Sequence, residues 1–182
     1  MNWAEKATQL IEELLVFAEK KQLIEAVDRP YYRNLLLDAM DAPDAEYGTV
    51  MARFLHQVQQ AGIKTSIDVV SDSSGDFATK IIPVLPYCDY VIINEIECGN
   101  IWSIAPRHTD GSLNLASIRQ AMEKTLAAGV SEKVIIHAKE AGFCLDHNGT
   151  FTAVASLDIP INEIKGSVGA GDAFCAGCLY SL

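Results

Sequence analysis

The residues best suited to chemistry lie in one glycine-rich stretch, Ile164 to Gly177, which holds four glycines within twelve residues. A helix that begins near Gly169 would direct its unpaired N–H groups and its positive dipole end at a bound anion. Asp172 would then lie in the first turn, where a carboxylate can accept a proton from a hydroxyl that attacks phosphorus. The alternative is a glycine-rich turn in which Asp172 only stabilises the helix dipole.

Asn94 and Glu97 form a second candidate site, directly after the apolar segment 89–93. One helical turn separates the two side chains, so both can point at one spot. Carboxylate and amide oxygens are ligands that suit Mg²⁺ or its water shell. The alternative is a capped helix start with an acidic first turn.

Apolar segments that alternate between strand and helix character must position these residues. We predict helices at 45–61, 77–85 and 113–129 and strands at 63–70, 89–93 and 133–137. This alternation is typical of right-handed crossovers in a parallel sheet, where ligands bind beyond the carboxyl ends of the strands. The pair Asn148-Gly149 predicts a hairpin of residues 143–145 and 150–154, antiparallel at the sheet edge. Residues 3–26 and a segment after Pro30 read as amphipathic helices.

Composition restricts the class of protein. The 182 residues suit one globular domain, with 49% hydrophobic and 21% charged residues. A formal net charge of −10 argues against nucleic acid or an anionic membrane as the main partner. The sequence has neither an apolar run of membrane-spanning length nor a leader-like start, so we expect a cytoplasmic protein. Five cysteines without a framework spacing predict reduced thiols, although Cys175 and Cys178 match the redox pattern C-x-x-C.

The glycine-rich stretch and the small-residue helix after it resemble the C-terminal motif of the ribokinase/PfkB sugar kinases. This resemblance covers residues 45–182 and implies an α/β fold, a ribokinase-like three-layer αβα sandwich with a mostly parallel sheet, truncated at both ends. It also implies that Asp172 is the catalytic base and that the amides of Gly169, Ala170 and Gly171 form the anion hole. Gly166 stands where the family commonly has Asp, which leaves a monovalent-cation site without its usual residue.

The same resemblance suggests roles at the strand ends. Asn94 and Glu97 match the family's N-x-x-E motif, which organises Mg²⁺ and phosphate. Asp68 lies where many relatives have an acid near the phosphates, although a turn-forming role at a strand end explains it equally. His137 and Gly142 lie where relatives often show Thr-x-Gly-x-x-Gly in contact with nucleotide phosphates, and only Gly142 matches. Lys139 is either a partner for phosphate or a solvated loop residue.

The function that this resemblance implies is an ATP-dependent carbohydrate kinase that transfers the γ-phosphoryl group to a sugar hydroxyl. Its cofactors would be ATP and Mg²⁺, and its partner a small sugar. The alternative is a truncated, non-catalytic kinase remnant that at most binds nucleotide. In such a remnant, uncovered apolar strand faces would invite association or aggregation, and a homo-oligomer is one form that this association could take.

Residues 1–40 resemble a different family, the N-terminus of a bacterial galactose-1-phosphate uridylyltransferase. The resembling residues run from Ile11 to Leu37 and include no His-x-His nucleophile, so no transferase activity is implied. We therefore expect an N-terminal helical segment over 1–40, a partial nucleotide-binding and catalytic domain over 45–182, and a junction at 35–45. Sequencing of the flanking DNA tests this expectation, since an intact upstream sugar-binding half in frame would contradict it.

Overall fold

A computed structural model describes residues 40–69, 76–160, 162–164, 166 and 169–182 of the chain. The described part falls into two compact units, one that ends at Lys64 and one that comprises Thr65–Leu182. The helices predicted at 3–26 and after Pro30, and the proposed junction up to residue 39, lie outside the described residues. None of the described helices combines the length and the hydrophobicity needed to cross a lipid bilayer.

The first unit contains a short antiparallel ladder, β1 (Pro43–Asp44) and β2 (Gly48–Thr49), followed by helix α1 (Val50–Gln60). The prediction of a helix from residue 45 was therefore wrong over its first five residues. Asp44 Oδ1 accepts backbone N–H groups of Glu46 and Tyr47, each at 2.9 Å, and so forms a turn in place of a helix. The helix begins only where the Thr49 hydroxyl accepts the N–H of Ala52 at 3.1 Å.

The described residues of the second unit form a five-stranded sheet, four helices and a 3₁₀ segment. In chain order these are β3 (Ser66–Ile67), α2 (Phe77–Ile81), the 3₁₀ segment (Ile82–Tyr87), β4 (Tyr90–Asn94), α3 (Glu95–Trp102), α4 (Leu115–Ala127), β5 (Lys133–His137), β6 (Ala141–Asp146), β7 (Phe151–Ala155) and α5 (Ala170–Ser181). The helix predicted at 77–85 ends four residues early, because Pro83 and Pro86 lack the N–H that a continuing α-helix needs.

The sheet has the order β3-β4-β5-β6-β7. β3, β4 and β5 are parallel, and β6 and β7 continue the sheet as an antiparallel hairpin. Asn94 at the end of β4 pairs with His137 at the end of β5, so both strands end at one edge of the sheet. We call this edge the carboxyl edge. The α/β architecture and the edge hairpin predicted from the sequence are confirmed.

Helices cover both faces of the sheet. On one face Val134, Ile136, Phe143 and Leu145 are at most 2% exposed, and helix α4 reaches this side, where its Arg119 guanidinium lies 5.4 Å from the ring centre of Phe151. The opposite face carries Lys133, Ile135, His137 and Cys144, and it meets residues of α5. The result is a three-layer arrangement, helix, sheet and helix.

A hydrogen-bonded cluster fixes the opposite ends of the parallel strands. The buried Asp89 carboxylate accepts the Thr65 N–H at 2.8 Å, the Thr65 hydroxyl at 3.1 Å and the Ser131 hydroxyl at 2.8 Å. These partners precede β3 and β5, so one side chain holds the starts of neighbouring strands in register. The Asp89 cluster at the starts of the strands and the strand pairing therefore both fix the position of the carboxyl edge.

We predict that Gly129→Ala is strongly destabilising. Gly129 has φ +120°, and a Cβ there would lie 2.7 Å from Pro86 Cα, so both backbone strain and a steric clash result. The expected loss in free energy of unfolding is about 2–4 kcal/mol, measured by urea denaturation. Gly149→Ala is the matched control, since φ is +82° there and no atom lies within 4 Å of the added Cβ. Equal losses in the two variants would contradict the clash with Pro86.

Candidate functional site

Helix α5 begins with the glycine-rich geometry that the sequence suggests. Gly169 is the N-cap, has φ +81° and ψ 2°, and makes no side-chain capping bond. The first amides of a helix lack partners within the helix, so they point outward from this start. Asp172 lies in the first turn, and its Oδ2 is 3.9 Å from where a Cβ on Gly169 would be. The carboxylate therefore turns back toward the uncapped helix start.

His137 is in contact with this helix start. A Cβ on Gly171 would lie 3.5 Å from His137 Cε1 and 3.6 Å from Nε2. The His137 and Phe174 rings have centroids 5.0 Å apart, at an angle of 43°. Gly142, opposite His137 in the strand pairing, would bring a Cβ within 3.3 Å of Phe174. The glycine at 142 thus lets α5 approach the sheet closely, whereas a Cβ at 171 would meet His137 only at ordinary van der Waals distance.

Asp68 follows β3 at the same edge. It is an exposed residue whose Oδ1 accepts the Val69 N–H at 2.8 Å. Partial burial raises the pKa of Asp68, and the negative charge of Asp172 raises it further, while the Val69 hydrogen bond and the nearby His137 act in the opposite direction. His137 and Asp172 therefore lie within electrostatic reach of Asp68. The structure brings these three predicted residues together.

Asn94 and Glu97 cap helix α3. Asn94 Oδ1 accepts the Glu97 N–H at 2.8 Å, and Glu97 Oε2 accepts the Asn94 N–H at 3.0 Å. This reciprocal pair is a capping box, the helix-start alternative that the sequence left open. Carboxylate and carbonyl oxygens can each accept more than one partner, so capping is compatible with contact to a hydrated cation. Among the described residues, no three His, Cys, Asp or Glu side chains converge on one metal position.

A charged cluster that the sequence interpretation missed lies beside these residues. Arg107, in the loop after α3, forms ion pairs with Glu95 at 2.6 Å and with Glu140 at 2.9 Å. Both glutamates follow strand ends, and that position is the signal that could have found them. Lys139 has a side chain 83% exposed and lies 3.7 Å from Glu140 Oε1, which favours the solvated alternative for this lysine.

An apolar groove of about 440 Å³ runs between α5 and the sheet. Its lining includes Phe174 near the start of α5 and Leu182 near the far end, with Ile135 and Cys144 from the sheet. It therefore begins beside the cluster of Asp68, His137 and Asp172 and leads away from it. Burial is the largest influence on the Cys144 thiol, and it raises the pKa of that group.

These features coincide with a family match over nearly the whole chain. The model of the pfkB family carbohydrate kinases matches residues 2–182, and the chain belongs to this family. The resemblance found at residues 45–182 is confirmed, and the match also includes residues 2–40. An adenosine kinase from Schizosaccharomyces pombe is 33% identical over 109 residues, which are 58% of this chain and 31% of the relative.

Solved structures show the same fold. An Arabidopsis thaliana ribokinase complexed with ribose and ATP matches with a TM-score of 0.52 at 20% identity, over 71% of this chain and 38% of the other. A 2-dehydro-3-deoxygluconokinase from Thermotoga maritima matches with a TM-score of 0.58 at 20% identity, over 72% of this chain and 41% of the other. The chain thus has a ribokinase-like fold, as predicted, and spans less than half the length of these relatives.

We predict that Asp68→Asn stabilises the protein at neutral pH. A raised pKa means that the folded state favours protonated Asp68, so the ionised form, present at pH 7, destabilises the fold. Because Asp68 is partly solvated, the expected gain is small, about 0.5 kcal/mol. The gain should shrink as the pH falls through the raised pKa and vanish below the ordinary value of 3.8, as followed by urea denaturation at several pH values.

Asp110→Asn is the control of opposite sign. Hydrogen bonds from Ser112 lower the pKa of Asp110, so its ionised form stabilises the fold and the substitution should bring no gain at pH 7. If Asp68→Asn instead lowers the stability at pH 7, and the loss persists at low pH, the ionised Asp68 carboxylate is not what destabilises the fold.

Proposed function

We propose that the chain carries the phosphate-binding and proton-accepting part of an ATP-dependent kinase that phosphorylates an alcohol of a sugar or nucleoside. One observation carries the proposal: the Asp172 carboxylate lies beside the uncapped glycine start of α5, at the sheet edge where β3, β4 and β5 end. Ligands of open parallel sheets bind at this edge. Membership of the pfkB carbohydrate kinase family supports the reaction class.

The proposed division of roles follows from the chemistry of each group. Asp172 accepts the proton of the attacking hydroxyl. The amides of Gly169, Ala170 and Gly171 donate hydrogen bonds to the phosphoryl oxygens, on which negative charge accumulates. Preorganised donors of this kind need no reorientation during transfer, because the helix fixes them.

The nucleotide phosphates would lie against the ends of β3 and β5. His137 contacts the start of α5 and can donate a hydrogen bond to a phosphate oxygen. Gly142 leaves room for Phe174, and Asp68 lies within electrostatic reach of His137 and Asp172. In ATP-dependent kinases Mg²⁺ neutralises the phosphate charge. Here Glu97 and Asn94 are the residues that would hold its water shell while they cap α3.

The acceptor is proposed only as a class. The adenosine kinase and ribokinase relatives point to a small sugar or nucleoside as the acceptor. Since the reaction needs ATP and this acceptor together, we place it in the cytoplasm. A trial panel therefore begins with adenosine and ribose. MgATP binding without turnover on any acceptor would favour a non-catalytic nucleotide-binding role.

We predict that Asp172→Asn lowers kcat by about 10²-fold or more, because the amide cannot accept the proton of the attacking hydroxyl. The Kd of MgATP should stay within about twofold of the wild-type value, since the hydroxyl rather than the nucleotide meets this side chain. Initial rates and isothermal titration measure the two quantities. Asp158→Asn is the matched control, an exposed aspartate in the segment after β7. Full turnover in the Asp172 variant would refute the assignment.

We further predict that Gly171→Ala weakens phosphate binding without unfolding the protein. The added methyl group would lie 3.5 Å from the His137 ring, at ordinary van der Waals distance, so the fold should accept it. The methyl group would nevertheless occupy space between the α5 amides and His137. We expect a rise in the Kd of MgATP of about tenfold, the equivalent of one displaced hydrogen bond.

Gly177→Ala, in the same helix and with no atom within 4 Å of the added Cβ, is the matched control. If Gly171→Ala has the same thermal midpoint as this control and still binds MgATP with wild-type affinity, the proposed phosphate position is wrong.

A further inference from the structure

Arg107 joins the start of α3 to the turn between β5 and β6, both at the carboxyl edge of the sheet. Its Nε and Nη2 donate to Glu95 Oε1 at 2.9 and 2.6 Å. Its Nη1 and Nη2 donate to Glu140 Oε1 and Oε2 at 2.9 and 3.0 Å. Nη1 also donates to the Gly111 carbonyl oxygen at 2.8 Å. A guanidinium group has five N–H donors, and these five bonds use all of them.

The cluster is better protected from water than an ordinary surface pair. The side chains of Arg107, Glu95 and Glu140 are 22%, 9% and 36% exposed, whereas those of Arg119 and Glu123, an ion pair along α4, are each 52% exposed. Hydrogen bonds from Arg107 lower the pKa of Glu140. We call Glu95, Arg107 and Glu140 the Arg107 clamp.

The two ends of the Arg107 clamp belong to separate parts of the proposed site. Glu95 is the first residue of α3 and directly follows Asn94. Glu140 lies in the turn between β5 and β6, three residues after His137, where the Ala138 N–H donates to the Ala141 carbonyl at 2.9 Å. Strand pairing joins β4 to β5 as far as Asn94 and His137, and beyond that pair Arg107 connects the first residue of α3 with the turn between β5 and β6.

We propose that Arg107 is a positioning residue that holds the turn between β5 and β6 at a fixed distance from the start of α3, so that both meet the same nucleotide phosphates. This inference rests on the proposed kinase function. Arg107 does not itself bind the nucleotide, because its donors are occupied by Glu95, Glu140 and Gly111. The pairing of β4 with β5 already sets Asn94 opposite His137, so the effect of Arg107 is on the placement of the turn at 138–141 relative to the start of α3.

Arg107→Lys tests the proposal with the positive charge retained. A lysine ammonium cannot reproduce the planar, bidentate contacts to two carboxylates. We expect the Kd and the KM of MgATP to rise about tenfold, as for the loss of one charge-assisted hydrogen bond, while the KM of the acceptor stays unchanged. Arg119→Lys is the matched control, because it alters an arginine–glutamate pair on α4, outside the proposed site. It should leave both constants at their wild-type values.

A double-mutant cycle with Glu140→Gln tests whether Arg107 and Glu140 influence MgATP binding through one shared contact or independently of each other. If the two residues act through one contact, Arg107→Lys combined with Glu140→Gln should raise the Kd of MgATP by no more than the larger single effect. Effects that multiply would overturn the proposal. A parallel rise in the KM of both substrates, accompanied by a lower thermal midpoint, would also overturn it, because general loosening of the fold predicts that pattern.

The controls separate this inference from the function on which it rests. If wild-type protein binds MgATP and Arg107→Lys binds it equally well, the positioning role is wrong and the proposed function stands. If the wild-type chain neither binds nor turns over MgATP, the proposed function fails, and the positioning role fails with it.

Discussion

Parallel pairing of β4 with β5 is the constraint on which the rest of the molecule depends. The register that sets Asn94 opposite His137 brings the residues that follow both strands to one edge of the sheet. β3 joins the same set in parallel, and Asp89 holds the strand starts through Thr65 and Ser131. Because parallel strands are connected by crossovers, all three ends lie at one edge although they are far apart in sequence. A one-residue slip would exchange the two faces and remove His137 from α5.

Close approach of α5 to this edge is the second requirement, and small residues provide it. Gly142 leaves space that Phe174 approaches, and Gly169 starts the helix at φ +81° without a side-chain cap. A residue with a Cβ at 169 would be strained in that conformation. The backbone conformation of Gly169 and the packing of α5 on the sheet therefore together determine where Asp172, in the first turn of the helix, lies.

Most features governed by local sequence could be predicted, with the start of α1 as an exception, whereas those governed by distant contacts could not. The apolar run at 133–137 predicted the bounds of β5, and Asn148-Gly149 predicted the hairpin. Both predictions were possible because apolar runs and turn chemistry are local properties. The start of α1 was missed, since a side-chain turn at Asp44 competes with the helical pattern there. The sequence left open whether Asn94 caps a helix or faces a cation, because one geometry serves both.

The Arg107 clamp illustrates the same limit. Arg107 is 12 residues from Glu95 and 33 residues from Glu140, and no repeat or helical spacing connects them. Each glutamate alone looks like a solvated loop residue. Only the fold, by placing two strand ends side by side, makes a single arginine the common partner of both.

Full occupation of the Arg107 donors also determines how ions should influence the proposed site. Asp68, Glu97 and Asp172 are carboxylates at this edge, and the nearby guanidinium is already neutralised by two glutamates. A bare polyphosphate would meet repulsion here, in a chain whose net charge is −10. Added monovalent salt would screen that repulsion, so its effect on the affinity for nucleotide without Mg²⁺ has the opposite sign to that at a lysine-rich phosphate site.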